Sequence, residues 1–160
     1  MIFRQWKQVL DGTKTQTRRP VKASQESNRW DIETDVINEV IQWLDNGKEY
    51  PANMRSIYVV GRTYAVQPGR GKKSVGRIRI TKIRRERLGD ISDADCLAEG
   101  VIRAPDDGFL AVYRCPICGD EWFESPIGAY MCLWNCCGGR WEQDQNNDVW
   151  VLEFEKGSGL

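Results

Sequence analysis

Histidine occurs nowhere in the sequence. Its absence excludes Ser-His and Cys-His nucleophile pairs and every His-metal site. Proton transfer must then fall to Lys, Asp, Glu, Tyr, Cys or water, and a zinc site would have to be built mostly of thiolates. No apolar run approaches the ~18 residues that a membrane span needs. The opening MIFRQWKQVL has no signal-peptide apolar core and reads as the start of an amphipathic helix. A cytoplasmic protein with no membrane partner is expected on these grounds. Net charge is missing too, with 23 Lys and Arg against 23 Asp and Glu, and no segment repeats.

What is present suits one packed domain. The chain has 160 residues, 41% of them hydrophobic and seven of them tryptophan, enough for a core of its own. A mean hydropathy of −0.55 and 29% charged residues predict a water-facing exterior. The neutral total conceals an asymmetry. Between Arg62 and Asp90 ten cations stand against two acids, Glu86 and Asp90. Such a segment is either a basic face for a polyanion or a solvated strand surface.

Apolar spacing at Phe3, Trp6, Val9 and Leu10 predicts a helix with Gly12 at its C-terminal cap. Thr15 to Arg19 reads as a short extended segment ended by Pro20, and residues 22–31 as a polar loop. The spacing of Val36, Ile37, Val40, Ile41 and Leu44 predicts a helix from Asp35 to Leu44. SIYVVGRTYAVQ gives one or two strands, PGRGKKS a basic glycine-rich loop, and VGRIRITKIRRERL a long strand with Ile78 and Ile80 inward and Arg77, Arg79 and Thr81 outward. SDADCLAEG predicts a short helix capped by Ser92 and stopped by Gly100. GFLAVYR reads as a strand, PIGAYMCLWNCCGG as a helix ended by glycines, and DVWVLEFE as a final strand with Val149, Val151 and Phe154 inward. Strands and helices without βαβ regularity predict an α+β fold around a small barrel.

One run needs a chemical explanation. LDGTKTQTRRP alternates hydroxyls with lysine and arginine directly after Asp-Gly. Together with YAVQPGRGK, the long basic strand, DIS…AEG and the closing VWVLEFE, it resembles the ASCH domain family, a PUA-like β-barrel, in the form common in phage and prophage genomes. The resemblance spans roughly Met1–Val21, Tyr58–Gly100 and Leu133–Phe154, and leaves Lys22–Ile57 and Arg103–Met131 uncovered. It implies a cleft for RNA or a nucleobase, with the Gly12–Arg19 run along it. Small bacterial members are amidohydrolases that remove acetyl from N4-acetylcytidine with a lysine, a threonine and a glutamate. Those positions match Lys14, Thr17 and Glu99 here.

Amide hydrolysis needs a nucleophile, a base and an acid for the leaving amine. The Thr17 hydroxyl is a nucleophile only if something takes its proton, and Lys14 can do so if burial and neighbouring cations such as Arg18 and Arg19 lower its pKa. Glu99 could hold or protonate the exocyclic nitrogen of cytosine. Residues three apart on a regular strand face opposite sides, so Lys14 and Thr17 share a cleft only if a turn or bulge intervenes. The competing structural readings are strand-forming threonines, a helix-end lysine and a solvated glutamate. A non-catalytic RNA-binding module would use Arg18, Arg19, Arg70, Lys72, Lys73, Arg77 and Arg79 on phosphates, with Trp6, Trp30, Tyr64 or Trp134 stacked on a base. A ribonuclease orienting a 2′-hydroxyl with Lys14 is a third reading.

Five of the six cysteines lie between Cys115 and Cys137. CPICG has the form of a rubredoxin-type zinc knuckle, which aims Cys115 and Cys118 at one point. Cys132 and Cys136 are four apart and would share a helical face. These four are the expected ligands of one structural zinc in an insertion at about residues 104–140 of a single 1–160 domain. In the ASCH resemblance Cys137 falls on an apolar position and is expected to be buried, while remaining the alternate ligand. Disulfides are the competing reading, disfavoured in the cytoplasm. Cys96 is expected to be a small buried residue.

Overall fold

The computed structural model describes residues 1–27, 30–31, 36–44, 54–105, 110–119 and 121–158, with the backbone alone at Trp30 and Asp31. The chain runs through α1 (Trp6–Asp11), β1 (Gln16–Pro20), β2 (Gln25–Ser27), β3 (Trp30–Asp31), β4 (Val36–Ile37), β5 (Glu39–Trp43), β6 (Met54–Val59), β7 (Thr63–Val66) and β8 (Gly76–Arg87). It continues with α2 (Asp93–Ala98), β9 (Ile102–Arg103), β10 (Tyr113–Arg114), β11 (Trp122–Phe123), α3 (Pro126–Cys136), α4 (Trp141–Asp144) and β12 (Asp148–Lys156). The fold is α+β. A six-stranded sheet runs β1-β12-β8-β4-β3, with β7 also on β8, beside two three-stranded sheets, β11-β10-β9 and β2-β5-β6. All these strand pairings are antiparallel, and among the described residues they close no barrel.

Local signals decide many of these elements. Gly12 caps α1 at φ 86°, in the left-handed region. The Ser92 side chain accepts from the Asp95 amide and starts α2. β8 buries Ile78 and Ile80 and exposes Arg77, Arg79 and Thr81, as its alternation predicts.

Four expectations are corrected. The segment expected as a helix from Asp35 to Leu44 is extended over its described part, as β4 and β5, while Asp35 itself lies outside the described residues. Four of its five apolar positions, Val36, Ile37, Val40 and Ile41, are β-branched, which favours a strand, and the consecutive Val40 and Ile41 are both buried. The polar stretch 22–31 contains strands β2 and β3 where a loop was expected. β12 buries Val149, Trp150, Val151 and Leu152 without alternation, because it lies between β1 and β8 with a packed cluster on each face. In the stretch expected as a strand from Gly108 to Arg114, only Tyr113 and Arg114 pair, and residues 106–109 are not described.

Val149 and Val151 face a core made with Leu88, Ile91, Cys96, Tyr130, Leu133 and Trp141, against which Tyr113, Ile117 and Phe123 also pack. Trp150 and Leu152 face the opposite way, toward Val40, Ile80 and Ile83. The described part of the cysteine-rich segment therefore shares its core with the main sheet.

Candidate functional site

The site starts at the α1–β1 junction. After Gly12 the chain turns before entering the strand. The Lys14 amide donates to the Gln8 carbonyl at 2.9 Å and the Thr15 amide to the Ala98 carbonyl at 2.9 Å. Lys14 thus lies outside the pleat that begins at Gln16, and strand alternation does not apply to it. Lys14 and Thr17 line the same cavity. Both are buried, at 3% and 6% exposure.

Glu99 reaches them from the end of α2. Gly100 has φ 98°, and a Cβ there would lie 2.7 Å from Gln8 Oε1, so glycine is required for the chain to turn at this point. Two side-chain amides hold the turn, that of Gln5 just before α1 donating from Nε2 to the Glu99 carbonyl at 3.0 Å and that of Gln8 within α1 from Nε2 to the Gly100 carbonyl at 2.9 Å. Lys14 Nζ then lies 2.7 Å from Glu99 Oε2 and 2.7 Å from the Glu99 carbonyl oxygen. Burial pushes the Lys14 pKa below the ordinary lysine value. The Glu99 carboxylate opposes this and the Arg19 charge adds to it.

Arg18, expected to contact nucleic acid, is spent inside the protein. Its Nε donates to Glu86, Nη1 to Gln16 and Glu99, and Nη2 to Glu86 and Asp95. All five guanidinium N–H groups are engaged and no donor is left for a phosphate. Arg84 completes the cage through Glu86, Asp95 and Glu153.

The cavity has a volume of about 310 Å³, at the small end of the range for small-molecule sites. Lys14, Thr17 and Glu99 line it, faced by Tyr130, Leu133 and Trp134 from α3 and by Arg4 and Arg19. A second cavity of about 290 Å³ adjoins it and shares Arg18, Arg19, Trp134 and Cys137. Tyr130 and Trp134 are four apart on α3, so helical spacing puts them on one face. That spacing was the available signal for Tyr130, which the sequence reading missed along with Arg4. Among the aromatics considered for base stacking, only Trp134 lines either cavity, its Nε1 donating to Asp144 at 2.9 Å. The side chain of Trp30 lies outside the described residues.

The basic strand and loop form a separate feature. Arg70, Lys72, Lys73, Arg77 and Arg79 are all exposed, and none lines the cavity of Lys14. Arg79 pairs with Glu155 on the neighbouring β12 at 2.7 Å.

Cys115, Cys118, Cys132 and Cys136 form one cluster, with every sulfur within 4.8 Å of the others. A tetrahedral metal with M–S bonds of about 2.3 Å needs sulfurs about 3.8 Å apart. The Cys115–Cys136 and Cys118–Cys132 separations of 4.0 and 3.3 Å bracket that value. The Ile117 amide points at Cys115 Sγ, 3.4 Å away, as a knuckle turn supporting a thiolate should. The donor set fits a metal ion with four protein ligands and no open position, a structural role. Cys137 is outside the cluster. Contrary to expectation it is exposed, and it lines both cavities. Cys96 is fully buried.

Compared with known proteins, the chain matches no protein-family model, no curated protein and no solved structure.

Proposed function

We propose that this chain is a PUA-like protein of the ASCH type whose cavity binds an acylated nucleobase and hydrolyses its amide, with N4-acetylcytidine as the reference substrate. The observation that carries this reading is the buried Lys14–Glu99 pair opening, with Thr17, onto one small cavity. In the proposed reaction Thr17 Oγ attacks the acyl carbon as its proton passes to Lys14 Nζ. The C–N bond breaks and Lys14 returns that proton to the departing exocyclic amine. Lys14 then takes a proton from water as the water attacks the acyl carbon, the C–O bond to Thr17 breaks, Lys14 gives the proton to the departing Thr17 Oγ, and the acyl group leaves as a carboxylic acid. Glu99 holds Lys14 in place and offers an acceptor to the exocyclic N–H. Zinc is the ion that best suits four thiolates, and unbridged cysteines fit a reducing compartment such as the cytoplasm.

The test is turnover of N4-acetylcytidine to cytidine by the wild type and by Lys14→Ala and Thr17→Ala. Turnover by the wild type that each substitution abolishes supports the reading. No turnover with any N4-acylated cytosine, or full activity in Thr17→Ala, overturns it. A second reading, a non-catalytic RNA-binding module, is favoured by the exposed cations of β8 and the preceding loop. It predicts RNA binding without turnover.

A further inference from the structure

Arg18 and Arg19 are neighbours in sequence with opposite fates. Arg18 is saturated by three carboxylates and a glutamine. Among the described residues Arg19 makes one side-chain hydrogen bond, from Nη2 to the Ile2 carbonyl at 2.8 Å, and its guanidinium lies over the Phe3 ring at 5.4 Å. Its Nε is enclosed and has no partner among the described residues. Among the described residues no carboxylate forms an ion pair with it. Among the described residues Arg4, on the same cavity, likewise donates only to a backbone carbonyl, that of Cys136. Glu99, the carboxylate of the cavity floor, is already shared between Lys14 and Arg18. The wall therefore presents two guanidiniums with donors to spare, and the acid of the second cavity, Asp144, is engaged by Trp134 Nε1 and the Arg140 amide and not by either of them. An enclosed donor without a partner is costly unless a ligand supplies the acceptor. A guanidinium fork matches two oxygens of a phosphate, and the charge of each adds strength to the bonds.

Arg19 also stands where the two cavities meet, since it lines both. A ligand with its base at Lys14, Thr17 and Glu99 can extend past Arg19 into the second space beside Gly138 and Gly139. We propose that this site takes its ligand as a phosphate ester, with the phosphate held by Arg19 and Arg4, so that its substrate is an acylated cytidine nucleotide or that residue within RNA in preference to the neutral nucleoside. The proposal rests on the reading that the Lys14 end holds the base, but the phosphate clamp can be tested apart from it.

The experiment measures binding by quenching of tryptophan fluorescence, with Trp134 in the wall as reporter, and by calorimetry. The probes are N4-acetylcytidine, its 5′-monophosphate, a short oligoribonucleotide carrying one N4-acetylcytidine, and ribose 5-phosphate. The monophosphate should bind about tenfold or more tighter than the nucleoside, as two charge-assisted contacts require. In Arg19→Gln the ratio of those two affinities should fall toward one. Arg4→Gln, at an exposed position, should lower the ratio several-fold. Arg19→Lys should recover only part of it, because charge survives and the fork does not. An oligonucleotide that binds as tightly as the monophosphate, with the same Arg19 dependence, identifies RNA as the source. A much weaker one identifies the free nucleotide. Ribose 5-phosphate binding that depends on Arg19, without any gain from the acylated base, keeps the clamp and removes the base reading. Equal affinity of wild type for nucleoside and monophosphate, or a phosphate advantage that survives in both Arg19→Gln and Arg4→Gln, overturns the proposal.

Discussion

Lys14 meets Glu99 twice, its Nζ 2.7 Å from a carboxylate oxygen and 2.7 Å from the backbone carbonyl of the same residue. The lysine tip is thereby fixed to the end of α2, while burial disfavours its charged form. Glu99 and Arg19 act on that balance with opposite sign, the first favouring the proton and the second opposing it.

The pH profile of turnover follows from this balance. Only the neutral amine can take the Thr17 proton, so the rate should rise with pH and level off at a midpoint below the ordinary lysine value of 10.5. Arg19→Gln removes a charge that lowers the Lys14 pKa, so its midpoint should move to higher pH. Lys14→Arg should be inactive, since arginine keeps its proton. A midpoint that Arg19→Gln leaves in place or moves downward sinks Lys14 as the base.

Arg18 should matter for stability rather than for nucleic acid. Arg18→Met strands buried Glu99 with Lys14 alone and leaves Glu86 and Asp95 to Arg84. The expected loss is about 3 kcal/mol, the low end for breaking a buried ion pair, because Arg84 still covers two of the acids. Arg18→Lys should regain little of it, having three donors where five are used. Burial works to raise the Asp95 pKa, but the bonds from Gln16 and Arg18 and the charge of Arg84 prevail and hold it below 3.8. Asp95 therefore contributes stability above that pH and loses it as the pH falls through the lower folded value, a margin the variant should lose. Urea denaturation at pH 7 and at about pH 3, inside the window where Asp95 takes up its proton, checks both points. A loss under about 1 kcal/mol at pH 7 would show that the cage is not what holds β1 to α2.

The exposed loop and strand carry a separate expectation. If Lys72, Lys73, Arg77 and Arg79 meet RNA, the logarithm of affinity falls linearly with the logarithm of salt concentration. Lys72→Glu with Lys73→Glu should flatten that slope and weaken binding, with a stability change within about 0.5 kcal/mol, as for other exposed substitutions. Filter binding between low and physiological salt reads it, and affinity independent of salt counts against a polyanion on this face.

How much of this was legible in advance follows the range of each interaction. Gly12, Ser92 and the alternation of β8 act within a few residues, and all three were readable. So was the CPICG half of the cysteine cluster, where a turn brings two sulfurs together. The division of labour between Arg18 and Arg19 was not readable, because the carboxylates that saturate Arg18 lie 68, 77 and 81 residues away. Nothing local distinguishes a caged arginine from an open one beside it. Val36 to Leu44 misled for a different reason. A strand with both faces partly buried shows the same three-and-four spacing as a helix, and only the tertiary partners decide. Cys137 was expected to be buried by alignment with an apolar position, yet the helix end carries it to the cavity wall.

Helix α3 joins the cysteine cluster to the cavity, and the last expectation follows from that. Cys132 and Cys136 belong to the cluster, while Tyr130, Leu133 and Trp134 belong to the cavity wall. Arg4 ties the Cys136 carbonyl to the cavity rim. A metal at the four sulfurs would fix the pitch and position of α3, so its removal should be felt at the cavity as well as in the knuckle. Elemental analysis of reduced protein should find one zinc per chain. Chelation should speed amide exchange first in residues 113–137, while β8 and β12, which pair along their length and carry their own buried side chains, stay protected. Ligand affinity should fall in parallel with the loss of protection in α3. Cys118→Ser removes an exposed ligand with little packing of its own and should reproduce the effect without a chelator. Metal-free protein that exchanges slowly through α3 and binds ligand normally would show that the four thiols pack without an ion and that the cavity wall stands by itself.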